Sequence, residues 1–181
     1  MSTAARFQTQ YTVADYRQWE GHWELCNGMA VAMSPSAGGR HAKVHARIIA
    51  ALANAIDVAE CNATVLVEID WIVSQDTVVR PDVTALCGLE PAGHVERPPA
   101  FVVEILSDAT RDRDLTYKRD LYATQGVRWY FILDPDAGTI LPLRLTEGRE
   151  FASPVGQSGP SYEIDLCDDC HICLDAGRLF G

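Results

Sequence analysis

Three side chains of this sequence have types and spacings that suit phosphoester chemistry. They are Asp82 in Arg80-Pro81-Asp82-Val83, Glu104 in Phe101-Val102-Val103-Glu104-Ile105-Leu106-Ser107, and Lys118 further on. The Glu104 run reads as a strand buried on both faces, and an ionised carboxylate inside it is costly unless a cation or a positioned donor compensates it. The segment before it supplies a second acid, Asp82, and the segment after it supplies a fixed positive charge, Lys118. Two carboxylates and a lysine at the end of a sheet suit divalent-metal phosphodiester hydrolysis. Asp82 and Glu104 would hold Mg2+ or Mn2+, hard cations that prefer oxygen ligands and retain several waters. The ion would polarise the phosphate and activate water, while Lys118 would orient that water or offset charge building on the phosphoryl oxygens.

The elements that must position these groups follow from periodicity. Thr12 with Asp15 predicts a short helix over Val13 to Trp19, and Asn27-Gly28 between apolar-rich arms predicts a tight hairpin. Ser34 to Gly39 is a loop by composition. Val44, Ile48, Leu52, Ala55 and Ile56 recur at three and four, the face of a core helix running from His41 to about Val58. Val65 to Val73 alternates as a strand, with Glu68 and Asp70 opposite its apolar side. Val78 to Leu86 is its hairpin partner, and Pro81 inside it calls for a bulge or a sheet edge. A connection from Gly88 to Pro99 leads to the Glu104 strand. A helix from Asp112 or Asp114 then carries Leu115, Lys118, Leu121 and Tyr122 and ends at Gly126. Val127 to Leu133 is the last core strand, and Thr139 to Leu145 and Tyr162 to Leu166 read as peripheral strands. The order α, β, β, β, α, β defines a mixed α/β (α+β) fold with helices packed on a central sheet.

Composition narrows the function classes. At 181 residues the chain suits one domain with a proper core over 1–181. Its first twenty residues hold no hydrophobic signal core and no apolar run approaches spanning length, so a cytoplasmic protein with no membrane contact is expected. The net charge of −10, from 15 Lys and Arg against 25 Asp and Glu, argues against a general nucleic-acid coating protein. It leaves room for a nuclease, because a bound metal and a local basic strip can offset the global sign. With no secretory signal, the six cysteines are expected to be reduced thiols.

Arg80-Pro81-Asp82-Val83, the Glu104 strand, Thr110-Arg111, Asp114, Lys118, Tyr122 and Gly126 to Pro135 together resemble the hallmark run of the putative restriction endonuclease family, part of the PD-(D/E)XK nuclease superfamily. Tyr11 to Tyr16, Trp23-Glu24-Leu25 with Asn27-Gly28, and Ser34-Pro35 followed by His41 extend the likeness over most of residues 11 to 135. The resemblance implies a restriction-endonuclease-like αβββαβ core at about 41–135, with N-terminal (11–40) and C-terminal (139–181) β-hairpins around it. It implies a metal-dependent endodeoxyribonuclease acting on DNA, and a homodimer, because cutting two strands generally takes two sites. One departure stands out. The superfamily pattern places a lysine two residues after the second acid, and Leu106 stands there. The family resembled carries its lysine on the following helix, which Lys118 matches, and Asp114 and Tyr122 share its helical face.

Glu68 is a candidate third metal ligand, and Glu24 and His41 are candidates to place water or contact phosphate, with Asp114 and Tyr122 around Lys118. Each also has a structural reading. Asp82 can pair with Arg80 at the surface, Lys118 can be a buried salt-bridge partner and nothing more, Glu68 can be a solvated strand residue, and His41 a helix cap. Arg40, Lys43 and Arg47, with Arg111, Arg113, Arg119 and Arg128, can flank DNA or be scattered surface charge. In the tail, Cys167, Cys170 and His171 match the c-type haem attachment pattern, which needs export, and Cys173 follows two residues on. As a compact cluster they could instead hold Zn2+, within one chain or across a dimer. The rival to an enzyme is a catalytically silent nucleic-acid-binding or interaction module of the same fold. Other rivals are a hydrolase of a small phosphodiester and a zinc- or redox-responsive regulator built on the tail cysteines.

Overall fold

The computed structural model describes residues 10–33, 38–88, 91–156 and 159–181. Of the predicted loop from Ser34 to Gly39, residues 34–37 with the Ser34-Pro35 pair lie outside them, as do Leu89 and Glu90 of the Gly88 to Pro99 connection, while Gly38 and Gly39 are the N-cap and first residue of a helix. Thr12 and Asp15 form a reciprocal cap: Asp15 N–H donates to Thr12 Oγ1 (3.4 Å) and Thr12 N–H donates to Asp15 Oδ2 (2.8 Å). The helix they start, α1 (Val13–Tyr16), is shorter than expected. The chain turns out of it so that Trp19 meets Tyr11, Tyr16 and Trp23 edge-on. Strands β1 (Trp23–Cys26) and β2 (Met29–Ala32) join through Asn27 and Gly28, whose φ values of 49° and 79° are those of a two-residue hairpin turn. Helix α2 (Gly39–Val58) buries the predicted face, Val44, Ile48, Leu52, Ala55 and Ile56.

The long hairpin after α2 differs from its expected form. Each predicted strand is cut in two, giving β3 (Ala63–Val67), β4 (Trp71–Ser74), β5 (Thr77–Val79) and β6 (Val83–Cys87). β3 pairs with β6 and β4 with β5, but the two pairs belong to different sheets. The bend has a local cause. Glu68 adopts φ +47° and its N–H donates to the Asp82 carbonyl (3.1 Å), while Pro81 has no N–H with which to continue the ladder. Arg80 Nε donates to Asp70 Oδ1 (2.7 Å) across the bend, so Arg80 pairs with Asp70 rather than with Asp82.

The remaining elements are β7 (Phe101–Ile105), α3 (Arg111–Leu115), α4 (Tyr117–Gln125), β8 (Trp129–Asp134), β9 (Thr139–Leu145), β10 (Phe151–Ala152), β11 (Ser161–Cys167) and β12 (Cys170–Asp175). The predicted single helix breaks at Thr116 and ends at Gly126, φ 88°. A six-stranded sheet runs β10-β9-β8-β7-β6-β3, with β7 and β8 parallel and its other neighbours antiparallel, and a four-stranded sheet runs β2-β1-β5-β4. The protein is thus a mixed α+β fold whose α2, β3, β6, β7, α3/α4 and β8 follow the expected αβββαβ order.

The six-stranded sheet has a core on each face. Val83, Ala85, Phe101, Val103, Ile105, Phe131 and Leu133 meet the apolar face of α2 on one side. Val102, Leu106, Tyr130 and Ile132 meet Tyr122, Ala123, Trp71 and Val79 on the other. The C-terminal hairpin is not peripheral. Tyr162, Ile164, Leu166, Ile172 and Leu174 alternate inward and complete the first core beside α2.

The tail cysteines differ from expectation in two ways. Cys61 is joined to Cys170 and Cys87 to Cys167, tying β11–β12 to the end of the β3/β6 pair, so these four are not reduced thiols here. The expected cluster of Cys167, Cys170, His171 and Cys173 does not assemble. The two-residue period of β12 turns Cys170 into the core and sends His171 and Cys173 to the exposed side.

A hairpin that completes the core is sensitive on one face only. Leu174→Ala is expected to destabilise the fold by about 2–5 kcal/mol, whereas His171→Ala, outward on the same strand, stays within about 0.5 kcal/mol. Urea unfolding of the oxidised protein checks both.

Candidate functional site

Glu104 lies on β7 between Val102 and Leu106, on the face that meets α4, and is 2% exposed. Its Oε1 accepts from Lys118 Nζ (2.9 Å) and from Tyr122 Oη–H (2.7 Å). Both donors sit on α4, one turn apart, so they reach the same oxygen. Tyr122 is locked by stacking on Trp71, at 5.6 Å between ring centroids, and by an edge contact with Tyr130. The ammonium of Lys118, also 2% exposed, meets two further acids, Glu24 Oε1 at 3.0 Å and Asp114 Oδ1 at 3.5 Å. Glu24 arrives from β1 in the other sheet. Its Oε1 also accepts the Arg80 N–H (2.9 Å), and its Oε2 lies 3.1 Å from Arg113.

Asp82 stands just before β6. Its Oδ2 accepts the backbone N–H of Ile105 (2.6 Å), the residue after Glu104, so the Pro81 bend and the β7 strand fix the two acids against each other. The open side of Asp82 faces the first turns of α2, where His41 Nε2 is 3.8 Å from Oδ2 and His45 Nε2 is 3.1 Å from the Asp82 carbonyl. The structure therefore brings Glu24, Glu104, Asp114, Lys118 and Tyr122 into one network, with Asp82 and His41 at its edge. Glu68 is placed differently. It is exposed at the bend and touches Asp82 through its backbone N–H.

Sequence reasoning missed two members, Arg113 and His45. Arg113 was legible only as one of a basic series, and His45, four residues after His41, carried a helical-face signal that went unread. The rest of that series does not form a free basic strip. Arg40 pairs with Asp136 and Arg111 with Asp134, while Lys43, Arg47 and Arg119 donate to carbonyls.

The electrostatics follow from four carboxylates (Glu24, Asp82, Glu104, Asp114) gathered around two cations (Lys118, Arg113). Burial alone would neutralise Lys118, but Glu104, Glu24 and Asp114 outweigh it and hold the ammonium charged well above the usual lysine range. Burial pushes Glu104 well above the ordinary glutamate range. Lys118 opposes the shift, and Asp114, Asp82 and Glu24 add to it. Asp82 is raised mainly by burial, against the pull of the Ile105 N–H. For Glu24, burial is overcome by Lys118, Arg113 and the Arg80 N–H, and its carboxyl falls below 4.5.

The donor set suits a hard divalent ion more than a soft one. The hydrogen bonds of the two acids use Oε1 of Glu104 and Oδ2 of Asp82, which leaves Oε2 and Oδ1 as hard donors among groups of net negative charge. Among the described residues, no group of three or more His, Cys, Asp or Glu stands ready as a metal cage.

The comparisons with known proteins agree with this architecture. The chain matches the Uma2 family, described as "putative restriction endonuclease", over residues 13–166. It belongs to that family. In fold it is similar to a putative nuclease of the DUF820 group from Anabaena variabilis ATCC 29413, with a TM-score of 0.70, 17% identity, and coverage of 94% of this chain and 97% of the other. No curated protein sequence matches it. Among the described residues, no helix is long and apolar enough to cross a membrane.

The buried network carries a pH signature. Glu24 has a depressed pKa in the folded state, so its stabilisation is present above 4.5 and is lost as pH falls through the folded value. Glu24→Gln is expected to cost about 3–5 kcal/mol near neutral pH. The gap from wild type should close below 4.5, as read by denaturant unfolding across a pH series.

Proposed function

We propose that this chain is a metal-dependent endonuclease that hydrolyses phosphodiester bonds in DNA. The observation that carries the reading is the pairing of Asp82, fixed to the Ile105 N–H, with Glu104, whose other contacts are Lys118 and Tyr122 from the following helix. That is the acid, acid and displaced lysine of the resemblance, and family membership supports the nuclease class. Asp82 and Glu104 would hold Mg2+ or Mn2+, and Glu68, exposed at the bend and joined to Asp82 only through its backbone N–H, would take part only through water. The ion would act as a Lewis acid on the phosphate and make water a better nucleophile.

The chain's own residues divide the remaining work. Lysine has three N–H donors, and those of Lys118 face three carboxylates, Glu104, Glu24 and Asp114. Its part is therefore to hold Glu104 oriented and to balance its charge rather than to touch the phosphate directly. Tyr122 fixes the same oxygen, which leaves Oε2 as the functional one. His41, whose Nε2 lies 3.8 Å from Asp82 Oδ2, would take the proton of an attacking water at that nitrogen, since its Nδ1 is buried without a hydrogen-bond partner. Water adds to phosphorus as one P–O ester bond breaks, and the departing oxygen is protonated from solvent. Two copies of the chain would cut the two strands of a duplex.

One observation favours the silent module as a second reading. Lys118 and Glu104 are each only 2% exposed and are satisfied by one another, as a structural ion pair would be. Incubation of supercoiled and branched DNA with Mg2+, Mn2+ or EDTA separates the two. The nuclease reading expects metal-dependent nicking that Asp82→Asn and Glu104→Gln each reduce by at least about 10²–10³-fold, with unfolding transitions confirming that both variants fold. DNA binding without cleavage, and without Mn2+ binding by calorimetry, supports the silent module.

A further inference from the structure

The Asp82 and Glu104 network uses none of the six cysteines, and the fold gathers four of them at one corner. Cys167 and Cys170 flank the two-residue turn Asp168-Asp169 and face each other across the β11–β12 hairpin. Cys87 ends β6 opposite Ala63 of β3, and Gly88 N–H donates to the Asn62 carbonyl (2.8 Å), so Cys61 and Cys87 leave neighbouring stretches of backbone. The hairpin turn sits over this pair, with Cα separations of 5.4 Å for Cys61 and Cys170 and 6.0 Å for Cys87 and Cys167. Four cysteines from three separated parts of the chain are thus carried on neighbouring backbone positions. One Cys-x-x-Cys turn supplies two, and two strand ends supply the others.

We propose that this corner, in its reduced form, is a tetrathiolate site for one Zn2+, with Cys61, Cys87, Cys167 and Cys170 as ligands. Structural zinc sites are closed, four-coordinate and thiolate-rich, and they draw on a Cys-x-x-Cys turn plus a second pair from elsewhere in the fold. The tail cluster that includes His171 and Cys173 fails that requirement, and this set meets it. At Zn–S distances of about 2.3 Å a tetrahedron spaces its sulfurs by just under 4 Å. Side-chain rotation supplies that spacing between residues whose Cα atoms are already this close. An entry path exists as well. Cys87, Cys167 and Cys170 line a solvent-open cavity of about 440 Å3. Arg97 and Arg128 border the same cavity together with Asp168 and Asp169, so two cations and two acids stand near where the complex would carry its −2 charge. Arg97 donates to the Cys87 carbonyl (2.5 Å) and Arg128 pairs with Asp168 (2.5 Å), so both are held at the ligand turns.

The two states interconvert with balanced chemistry. Each disulfide takes two electrons and two protons from a dithiol, which leaves as its own disulfide, so two dithiols yield four thiols. Zn2+ then binds four thiolates and releases four protons to solvent. Either state ties the β11–β12 hairpin to the β3/β6 end of the sheet, so the core beneath it stays closed in both.

The experiment is metal analysis of protein purified with a dithiol reductant. The expected result is about one zinc per chain after desalting. Exchange to Co2+ should give the intense visible and thiolate charge-transfer absorption of a tetrahedral S4 site. Cys167→Ser and Cys87→Ser should abolish that spectrum, and Cys173→Ser and Cys26→Ser should leave it unchanged. Reduced protein that holds no zinc and leaves Co2+ with only its octahedral aqueous spectrum overturns the proposal. So does a wild type that unfolds on reduction with zinc present, a result that does not depend on any variant folding.

Discussion

The charge on Lys118 is the constraint on which the rest of the structure turns. A buried ammonium is tolerable only where carboxylates surround it, and here they come from three separate elements: Glu24 from β1, Glu104 from β7 and Asp114 from α3. Satisfying one cation therefore docks the four-stranded sheet, the six-stranded sheet and the helical pair against one another. Removing a partner would leave an uncompensated buried charge, and this ties the integrity of the fold to the integrity of the site.

The same constraint shapes the chemistry. Lys118 is saturated by its acids; in the proposed nuclease it would act by setting the state and orientation of Glu104, and the negative excess around it would attract a divalent cation. The more open side of the site lies at Asp82 and His41 rather than at Lys118. His41 and Asp82 are each partly exposed, whereas Glu104 and Lys118 are closed in. The bend at Glu68 and Pro81 has a matching role. It moves the hairpin from one sheet to the other and leaves Asp82 against the Ile105 N–H, beyond the regular ladder.

The C-terminal hairpin shows a second way of closing the molecule. Its inner residues complete the α2 core, and its cysteines join it covalently to the ends of β3 and β6, across sequence separations of 109 and 80 residues. Cross-links over separations this long remove much of the unfolded chain's freedom, on the order of 4–5 kcal/mol for about 100 residues in the loop-closure account. A short hairpin that would be marginal alone is thereby held to the sheet.

Local chemistry made much of this legible without coordinates. The period of α2, the Thr12 and Asp15 cap, the Asn27-Gly28 turn, the Gly126 stop and the burial of the Glu104 strand each depend on residues close in sequence, and each appears in the structure. The acids and the lysine were also visible, because a carboxylate inside an apolar strand demands a partner wherever that partner lies. Tertiary structure alone decided which groups meet. That Glu24 shares Lys118 with Glu104, that Arg80 turns to Asp70, and that Cys61 and Cys87 meet the tail cysteines are contacts between elements far apart in the chain. So is the enrolment of Arg113, one of several similar arginines. Alternation in β12 placed His171 and Cys173 outward, a consequence of strand geometry that spacing in the sequence could not separate from a turn. Composition and periodicity constrain neighbours along the chain, and long-range pairing depends on how the two sheets bend and dock.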